Sequence, residues 1–393
     1  GIFMEAAIDY IVIYPVNPIN KYTGCYWVCI NGEKGIIRSL EDLLNMFAIL
    51  NNRGVEAVGI LVHHLLNHNI QNIKTIIDIF DRIPIAIYLH DFYTCCPNFK
   101  LLYNDLYFCV KDSINCNGCK YSLEQKVHYR KMVDIFNEYN KQITFVSPSV
   151  FTQKIWKKFY SDYQNNIIII PHLQAIGNYT QNMSIIKNKV PIKVAYIGAQ
   201  DFTKGWTIYK NIIIRCQKEN KNYSFYYFGS PNEKLNNVVN TKVKVHKQGK
   251  DAMINALREK KIDVVIMPAV CPETYSYTLY EAMAANCFIL TTTKSGNVTC
   301  VVKDNKFGEV LENFDELLNL MLNESKFRTI LNDWRGKHNG ALSYVDNKDV
   351  LKVFDLQRVY NANYTLRRVP LYKVLWRCFL DCLYKIRNSS NNI

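Results

Sequence analysis

The sequence predicts an α/β protein built as two doubly wound, Rossmann-like domains. Three observations predict it. Short apolar runs rich in β-branched residues recur at residues 10–14, 84–89, 192–198, 262–267 and 287–292, and they read as buried strands. Stretches with helical spacing separate many of these runs, giving a β-α-β rhythm. At 393 residues the chain is long enough for two such domains. A polar, Asn-rich stretch at 177–190 shows little periodicity and reads as the linker between them. The expected domains are therefore residues 1–176 and 191–345, followed by residues 346–393.

In order, the first strand is expected at 10–14, ahead of Pro15. Ser39, followed by Leu40, Glu41 and Asp42, marks a helix start with a Ser cap and an acidic first turn, running to about residue 51. A strand at 56–62, a helix at 71–80 and a strand at 84–89 follow. Residues 122–139 interleave basic and acidic side chains and read as a helix. Residues 143–149 read as a strand leading into a helix capped by Ser149, and 166–170 as one more strand. The second domain opens on the strand at 192–198. Strands at 224–228 and 243–246 and a helix at 251–260 come next. Then come the strand at 262–267, a helix at 279–285, the strand at 287–292, and helices at 315–322 and 326–334. No internal repeat is apparent.

The stretch P-E-T-Y-S-Y-T-L-Y-E-A-M, from Pro272 to Met283, is a strand-loop-helix corner between two buried strands. Ligands bind beyond the carboxyl ends of strands in such sheets. Ser276, Tyr277 and Thr278 open the helix, and their N–H groups make an anion site. Glu273 stands before the helix and Glu281 about one turn into it. One carboxylate at the mouth and one deeper suit hydroxyl groups on either side of a bound phosphate. An ordinary helix start with two surface carboxylates is the plainer alternative. A second corner follows the strand at 192–198: Gly198, then Lys204-Gly205, a G-x5-K-G spacing. Glycine allows close backbone approach, and the Lys204 ammonium offsets phosphate charge.

These two corners resemble the retaining GT-B glycosyltransferases, specifically the glycogen-synthase-like and bacterial mannosyl- and rhamnosyltransferase-like group (glycosyltransferase family 4-like). The resemblance is strongest over 194–292. It implies two Rossmann-like domains facing across a cleft, with C-terminal helices that cross back onto the first domain. It implies transfer of a sugar from a nucleoside-diphosphate sugar to a saccharide hydroxyl, with retention. Glu273 then serves the sugar hydroxyls, Glu281 the ribose, and the Tyr277 and Thr278 amides the diphosphate. Gly198 and Lys204 form the phosphate loop, Ser276 opens the helix, and Gly296 approaches the sugar. Many relatives carry Arg directly after the first Gly, where this chain has Ala199. The family's Gly-rich loop after its first strand is also missing here: the place reads Val16-Asn17-Pro18-Ile19-Asn20 and then Gly24. Either another loop is used or the chain is one piece of a larger protein.

The strand at 84–89 runs into His90-Asp91-Phe92-Tyr93-Thr94-Cys95-Cys96-Pro97. This H-D-F-x-x-x-C-P segment also resembles bacterial members of the group, which implies that His90 faces the donor sugar and phosphate. Asp91 and Ser149 are weaker acceptor-side candidates, Ser149 being first of all a helix cap. Cys109, Cys116 and Cys119 follow, so that with Cys95 and Cys96 five cysteines fall within 25 residues. Cys96, Cys109, Cys116 and Cys119 make a ligand set for structural zinc. Free thiols or a labile disulfide are the alternatives.

No Asp-x-Asp pair occurs in the chain, so a metal-held diphosphate is not expected, and Lys204 with the helix amides takes the metal's place. No cofactor is expected for catalysis beyond the donor itself. The formal charge of +14 calls for an anionic partner. The segment 364–387 sets Arg367, Arg368, Lys373, Arg377, Lys385 and Arg387 against Asp381 alone, with Leu371, Leu375, Trp376 and Phe379 between them. It reads as a basic amphipathic helix for an anionic membrane surface, or as a packing helix. The acceptor is then a saccharide or lipid-linked saccharide, in bacterial surface polysaccharide or glycolipid assembly. A cytoplasmic protein, peripheral at the inner face of the plasma membrane, is expected, because no export signal and no long apolar run is visible. Two rival readings remain: a GT-B scaffold that binds sugar nucleotide without turnover, and a basic nucleic-acid-binding protein. No nucleic-acid-binding motif supports the second.

Overall fold

A computed structural model describes residues 2–6, 8–16, 24–33, 35–80, 82–109, 116–179, 183–338 and 340–354. The basic segment at 364–387 and most of the loop from Val16 to Asn20 lie outside them. The described residues divide into two compact units. One draws on the described residues within 2–88, 130–145 and 348–354, the other on those within 89–129 and 146–347.

The first unit opens on an antiparallel sheet, where sequence periodicity suggests a parallel one. β1 (Ile11–Pro15), β2 (Cys25–Ile30) and β3 (Ile36–Ser39) pair in that order, with Tyr14 opposite Trp27 and Val28 opposite Ile36. The reversal after β2 is made by Asn31 and Gly32, both at positive φ (50° and 79°). An Asn-Gly pair is a strong hairpin signal, and it turns the chain back before a crossover helix can form. Fully buried Tyr26, with Val28, packs on Leu43 and Phe47 of the helix Leu40–Asn52. Ser39 caps that helix as expected, accepting from the Asp42 N–H. Beyond it a parallel pair forms: β4 (Ile60–Val62) beside the fully buried β5 (Ile85–Tyr88), joined through the helix Ile70–Ile77.

In the second unit a short hairpin, β6 (Leu102–Tyr103) with β7 (Tyr107–Phe108), precedes β8 (Ile143–Ser147), whose last residues belong here, and β9 (Ile167–Ile169). β10 (Leu173–Tyr179) pairs antiparallel with β17 (Ala341–Asp346), a ribbon that sequence reading did not foresee. The main sheet is all parallel. It contains β11 (Ile192–Ile197), β12 (Tyr223–Gly229), β13 (Val238–Lys242), β14 (Val264–Ile266), β15 (Phe288–Thr292) and β16 (Gly308–Leu311), in the order β13-β12-β11-β14-β15-β16. The strand expected at 243–246 is instead β13 just upstream, and Val245–Gln248 is a short helix.

Alternation along each strand divides the core between the two faces of this sheet. Val194, Tyr196, Val264, Ile266, Phe288 and Leu290 point into one apolar cluster. Ala195, Ile197, Val265, Cys287 and Ile289 point into the other. The helices Trp206–Lys218, Phe314–Leu322 and Glu324–Lys337 contribute to the first face. The helices Ala252–Lys260, Tyr277–Ala284 and Asn297–Asn305 contribute to the second. Near-continuous apolar strands are the signature of a parallel sheet covered on both faces. The strand order reverses direction between β11 and β14, and that topological switch point is where such sheets bind ligands.

Candidate functional site

The loops after β11 and β14 meet at this switch point. Gly198 ends β11 with φ +103, its N–H donating to the Phe228 carbonyl at 3.0 Å. A Cβ placed on Gly198 would lie 3.8 Å from the Thr278 methyl, so the first corner sits beside the start of the helix Tyr277–Ala284. Asp201 shapes the rest of the loop, accepting from the Thr203 N–H at 2.7 Å and the Thr203 hydroxyl at 2.5 Å. Gly205 is required here. It takes φ +84, and a Cβ would stand 2.1 Å from the Pro268 carbonyl oxygen.

Lys204 reaches across to the second corner. Its Nζ lies 2.5 and 2.7 Å from the two carboxylate oxygens of Glu273. Glu273 is nearly buried (11% exposed) while Lys204 is half-exposed (49%). The Lys204 ammonium faces water and is open to a second anion, whereas the nearly buried Glu273 carboxylate would need other donors if Lys204 left it. Glu273 is held by its backbone. Its N–H donates to the Ser295 carbonyl at 3.3 Å and its carbonyl accepts from the Asn297 N–H at 2.8 Å. Gly296 makes this approach, at φ +69; a Cβ there would press to 2.7 Å from both the N and O of Glu273.

Between Glu273 and the helix, Thr274 is stitched on three sides. Its hydroxyl donates to the His90 carbonyl at 2.5 Å, and its carbonyl accepts from Ser149 at 2.8 Å and from Thr152 at 3.2 Å. Ser276 is the helix N-cap residue, but its hydroxyl faces that of Thr278 at 3.0 Å rather than a backbone N–H. The first N–H groups of this helix are therefore left without a side-chain cap, as an anion site requires. Tyr277 is half-exposed and stacks on His172, with ring centroids 5.5 Å apart. Glu281 is partly buried, and burial pushes its carboxyl up to about 7. Desolvation is the sole cause, and a perturbed carboxyl beside a helix start is a candidate for a functional site.

The remaining sequence candidates fall as follows. His90 lies in the same unit, its ring stacked on His172 with centroids 4.9 Å apart. Asp91 accepts from the Tyr93 N–H at 2.9 Å, as a turn residue does. Ser149 is buried, caps the helix Val150–Phe159 by accepting from the Thr152 N–H, and holds Thr274. It acts on the loop between Glu273 and Tyr277 through that carbonyl rather than presenting a hydroxyl to solvent.

Zinc at Cys96, Cys109, Cys116 and Cys119 is not supported. Burial pushes the Cys96 thiol up to about 12, and Cys116, Cys109 and Cys119 add to the rise. Yet among the described residues no group of three or more His, Cys, Asp or Glu side chains is arranged to hold a metal. The described contacts around this loop are made by a carboxylate instead. Asp105, at the β6–β7 turn, accepts from Asn98 and from Tyr121, each at 2.8 Å, and pairs with Lys120. The Lys120 bond chiefly lowers the Asp105 carboxyl below its ordinary value. Asp105 thus ties Asn98, Lys120 and Tyr121 together around the β6–β7 hairpin.

Sequence reading missed two residues at the site. His172 follows Pro171 at the end of β9; its aromatic neighbours Tyr275 and Tyr277 are visible only in three dimensions. Lys100 places its Nζ 3.3 Å from the Thr203 hydroxyl, and no motif marks it.

Comparison with solved structures agrees with this architecture. An S. aureus TarM variant in complex with fondaparinux, alpha-GlcNAc-glycerol and UDP superposes with a TM-score of 0.50 at 14% identity, over 84% of this chain and 60% of that one. HepE from Anabaena in complex with UDP-glucose gives 0.45 at 13% identity, over 76% of each chain. WaaG, a glycosyltransferase involved in lipopolysaccharide biosynthesis, gives 0.43 at 16% identity, over 72% of this chain and 82% of that one. The first of these carries the assignment: the chain has the GT-B fold. It spans about 60% of the length of the S. aureus protein. No protein-family model matches the chain, and no curated protein matches it in sequence. No helix among the described residues is long and apolar enough to cross a membrane.

Proposed function

We propose that this protein is a retaining glycosyltransferase that moves a sugar from a nucleoside diphosphate to a hydroxyl of a saccharide acceptor. One observation carries the reading: Gly198, Lys204, Glu273, Gly296 and the uncapped start of the helix Tyr277–Ala284 converge at the sheet's switch point, with Glu281 one turn further in. In this reading the diphosphate lies against the Tyr277 and Thr278 amides and draws Lys204 from Glu273. Glu273, freed of its cation, accepts from the sugar hydroxyls, and Glu281 accepts from the ribose. His90 borders the sugar. The departing diphosphate takes the acceptor's proton on the same face, while the protein supplies charge and positioning. No divalent ion is needed, since the chain has no Asp-x-Asp pair to hold one. The acceptor we propose is a saccharide or lipid-linked saccharide of surface polysaccharide assembly, met at an anionic membrane face by the basic segment 364–387.

A scaffold that binds donor without turning it over has one observation in its favour, the uncharged Ala199 directly after Gly198. Turnover of labelled sugar nucleotide separates the two. The first test is calorimetric binding of UDP, GDP, ADP and dTDP to the wild type and to Lys204→Ala and Glu281→Ala, with and without EDTA. UDP, the nucleotide of the TarM complex, heads the panel. The reading predicts one tight nucleotide, weakened about tenfold or more by each substitution and unchanged by EDTA. A folded wild-type protein that binds none of the four would overturn it.

A further inference from the structure

The loop at the switch point holds a second cation from far away in the sequence. Lys100 lies in a segment fixed by its own backbone: the Lys100 N–H donates to the Asn98 side chain at 3.2 Å, the Phe92 N–H to the Phe99 carbonyl at 3.0 Å, and the Leu101 N–H to the Asn98 carbonyl at 2.8 Å. The Cys271 thiol donates to the Lys100 carbonyl at 3.1 Å, two residues before Glu273. The Lys100 side chain then runs to the Asp201–Lys204 turn. Its Nζ stands 3.3 Å from the Thr203 hydroxyl oxygen and 4.0 Å from an Asp201 carboxylate oxygen.

The charges at this turn are unequally matched. Lys204 is bound by both oxygens of Glu273, at 2.5 and 2.7 Å. The Asp201 oxygen nearest Lys100 is already taken by the N–H and hydroxyl of Thr203. Lys100 has the longer 4.0 Å pairing and stands 5.9 Å from the Phe99 ring centroid, and its side chain is 36% exposed. It is thus the ammonium with the weaker counter-ion at the turn; its backbone is fixed by the Asn98 and Cys271 contacts and its ammonium is held by the Thr203 hydroxyl. A cation held in place before its ligand arrives loses little entropy on binding.

We propose that Lys100 is a second diphosphate-binding cation of the donor site, acting beside Lys204. This rests on the nucleotide-sugar reading given above. Lys204 must leave one carboxylate, Glu273, to reach phosphate, whereas Lys100 need break no close pair. As the sugar–oxygen bond breaks, negative charge grows on the diphosphate, and two ammonium groups share it where one would leave it unbalanced.

The test compares wild type, Lys100→Met, Lys100→Arg and Lys204→Ala. Each is titrated with UDP, GDP, ADP and dTDP and with the matching monophosphates and nucleosides, at low and high salt. Methionine keeps the length and the packing of the lysine stem while removing its charge. For the diphosphate that the wild type binds, Lys100→Met should weaken affinity about tenfold or more. It should flatten the salt dependence and leave the nucleoside's affinity unchanged, and Lys100→Arg should restore most of the loss. Diphosphate affinity equal to wild type in Lys100→Met, with Lys204→Ala impaired, overturns the role of Lys100 and leaves the donor site standing. Equal losses for diphosphate and nucleoside also overturn it, because they would mean a distorted loop rather than a missing charge. A wild type that binds no diphosphate removes the donor site itself, and Lys100's role with it.

Discussion

At Glu281 burial and chemistry pull in opposite directions. Its carboxyl is pushed from an ordinary 4.5 up to about 7 by desolvation alone. A raised carboxyl means that the folded state binds a proton more tightly than the unfolded chain. The cost of burying the charge is therefore absent below about pH 4.5 and develops as pH rises through about 7. Glu281→Gln removes the titration. The wild type should lose stability relative to this variant between about pH 4.5 and 7, by up to about 3 kcal/mol, less what solvent at its open side screens, and hold level above that. Parallel thermal melts across that range check it; a constant difference in Tm would show that the carboxyl titrates normally. On the proposed reading, in which ribose hydroxyls favour the ionised Glu281, nucleotide affinity should rise with pH through 7 in the wild type and stay flat in Glu281→Gln.

A single carbonyl couples two elements. Ser149 and Thr152, at the start of the helix Val150–Phe159, both donate to Thr274, and the Thr274 hydroxyl donates back to His90. A loop that must present Glu273 on one side and helix N–H groups on the other is thereby fixed at its midpoint. Ser149→Ala should cost about 1 kcal/mol for the lost cap, while Thr152 keeps the carbonyl satisfied. Thr152→Val should cost a comparable amount. The double variant should lose more than the sum of the two, because only then is the buried carbonyl left without a donor. Urea denaturation of the four proteins closes this cycle; strict additivity would mean that the two hydroxyls do not share a load.

For the molecule as a whole, protection from solvent is unevenly spread. β14 and β15 are buried along their length, β11 nearly so, and apolar clusters lie on both faces of their sheet. β1, by contrast, alternates half-buried and exposed positions at the margin of a three-stranded antiparallel sheet. Opening free energies follow such differences in burial. Hydrogen exchange should be slowest at Val194, Ala195, Val265 and Ile289, and markedly faster at Val12 and Tyr14. Equal protection across both sheets would contradict a stability centred on the parallel one.

Sequence periodicity was enough to locate β11, β12, β14 and β15, because a strand covered on both faces must be apolar throughout, but it misplaced β13 and missed β16, the partly exposed strands at the two edges of the sheet. It also placed Gly198, Lys204, Glu273 and Glu281 at strand ends, where chain direction alone puts loops and helix starts at one edge of the sheet. The β1–β2–β3 meander escaped it, since the Asn31-Gly32 reversal decides between hairpin and crossover and weighs little in a search for apolar runs. β10 and β17 escaped it for another reason: they are short, partly exposed, and paired across more than 150 residues of chain. The sequence by itself determined which residue types stand at the two corners. Only the tertiary structure decided that Lys204 closes on Glu273, that Asp105 gathers Asn98, Lys120 and Tyr121, and that Lys100 reaches the Asp201–Lys204 turn. Those pairings depend on distance in space, and spacing along the chain carries no record of it.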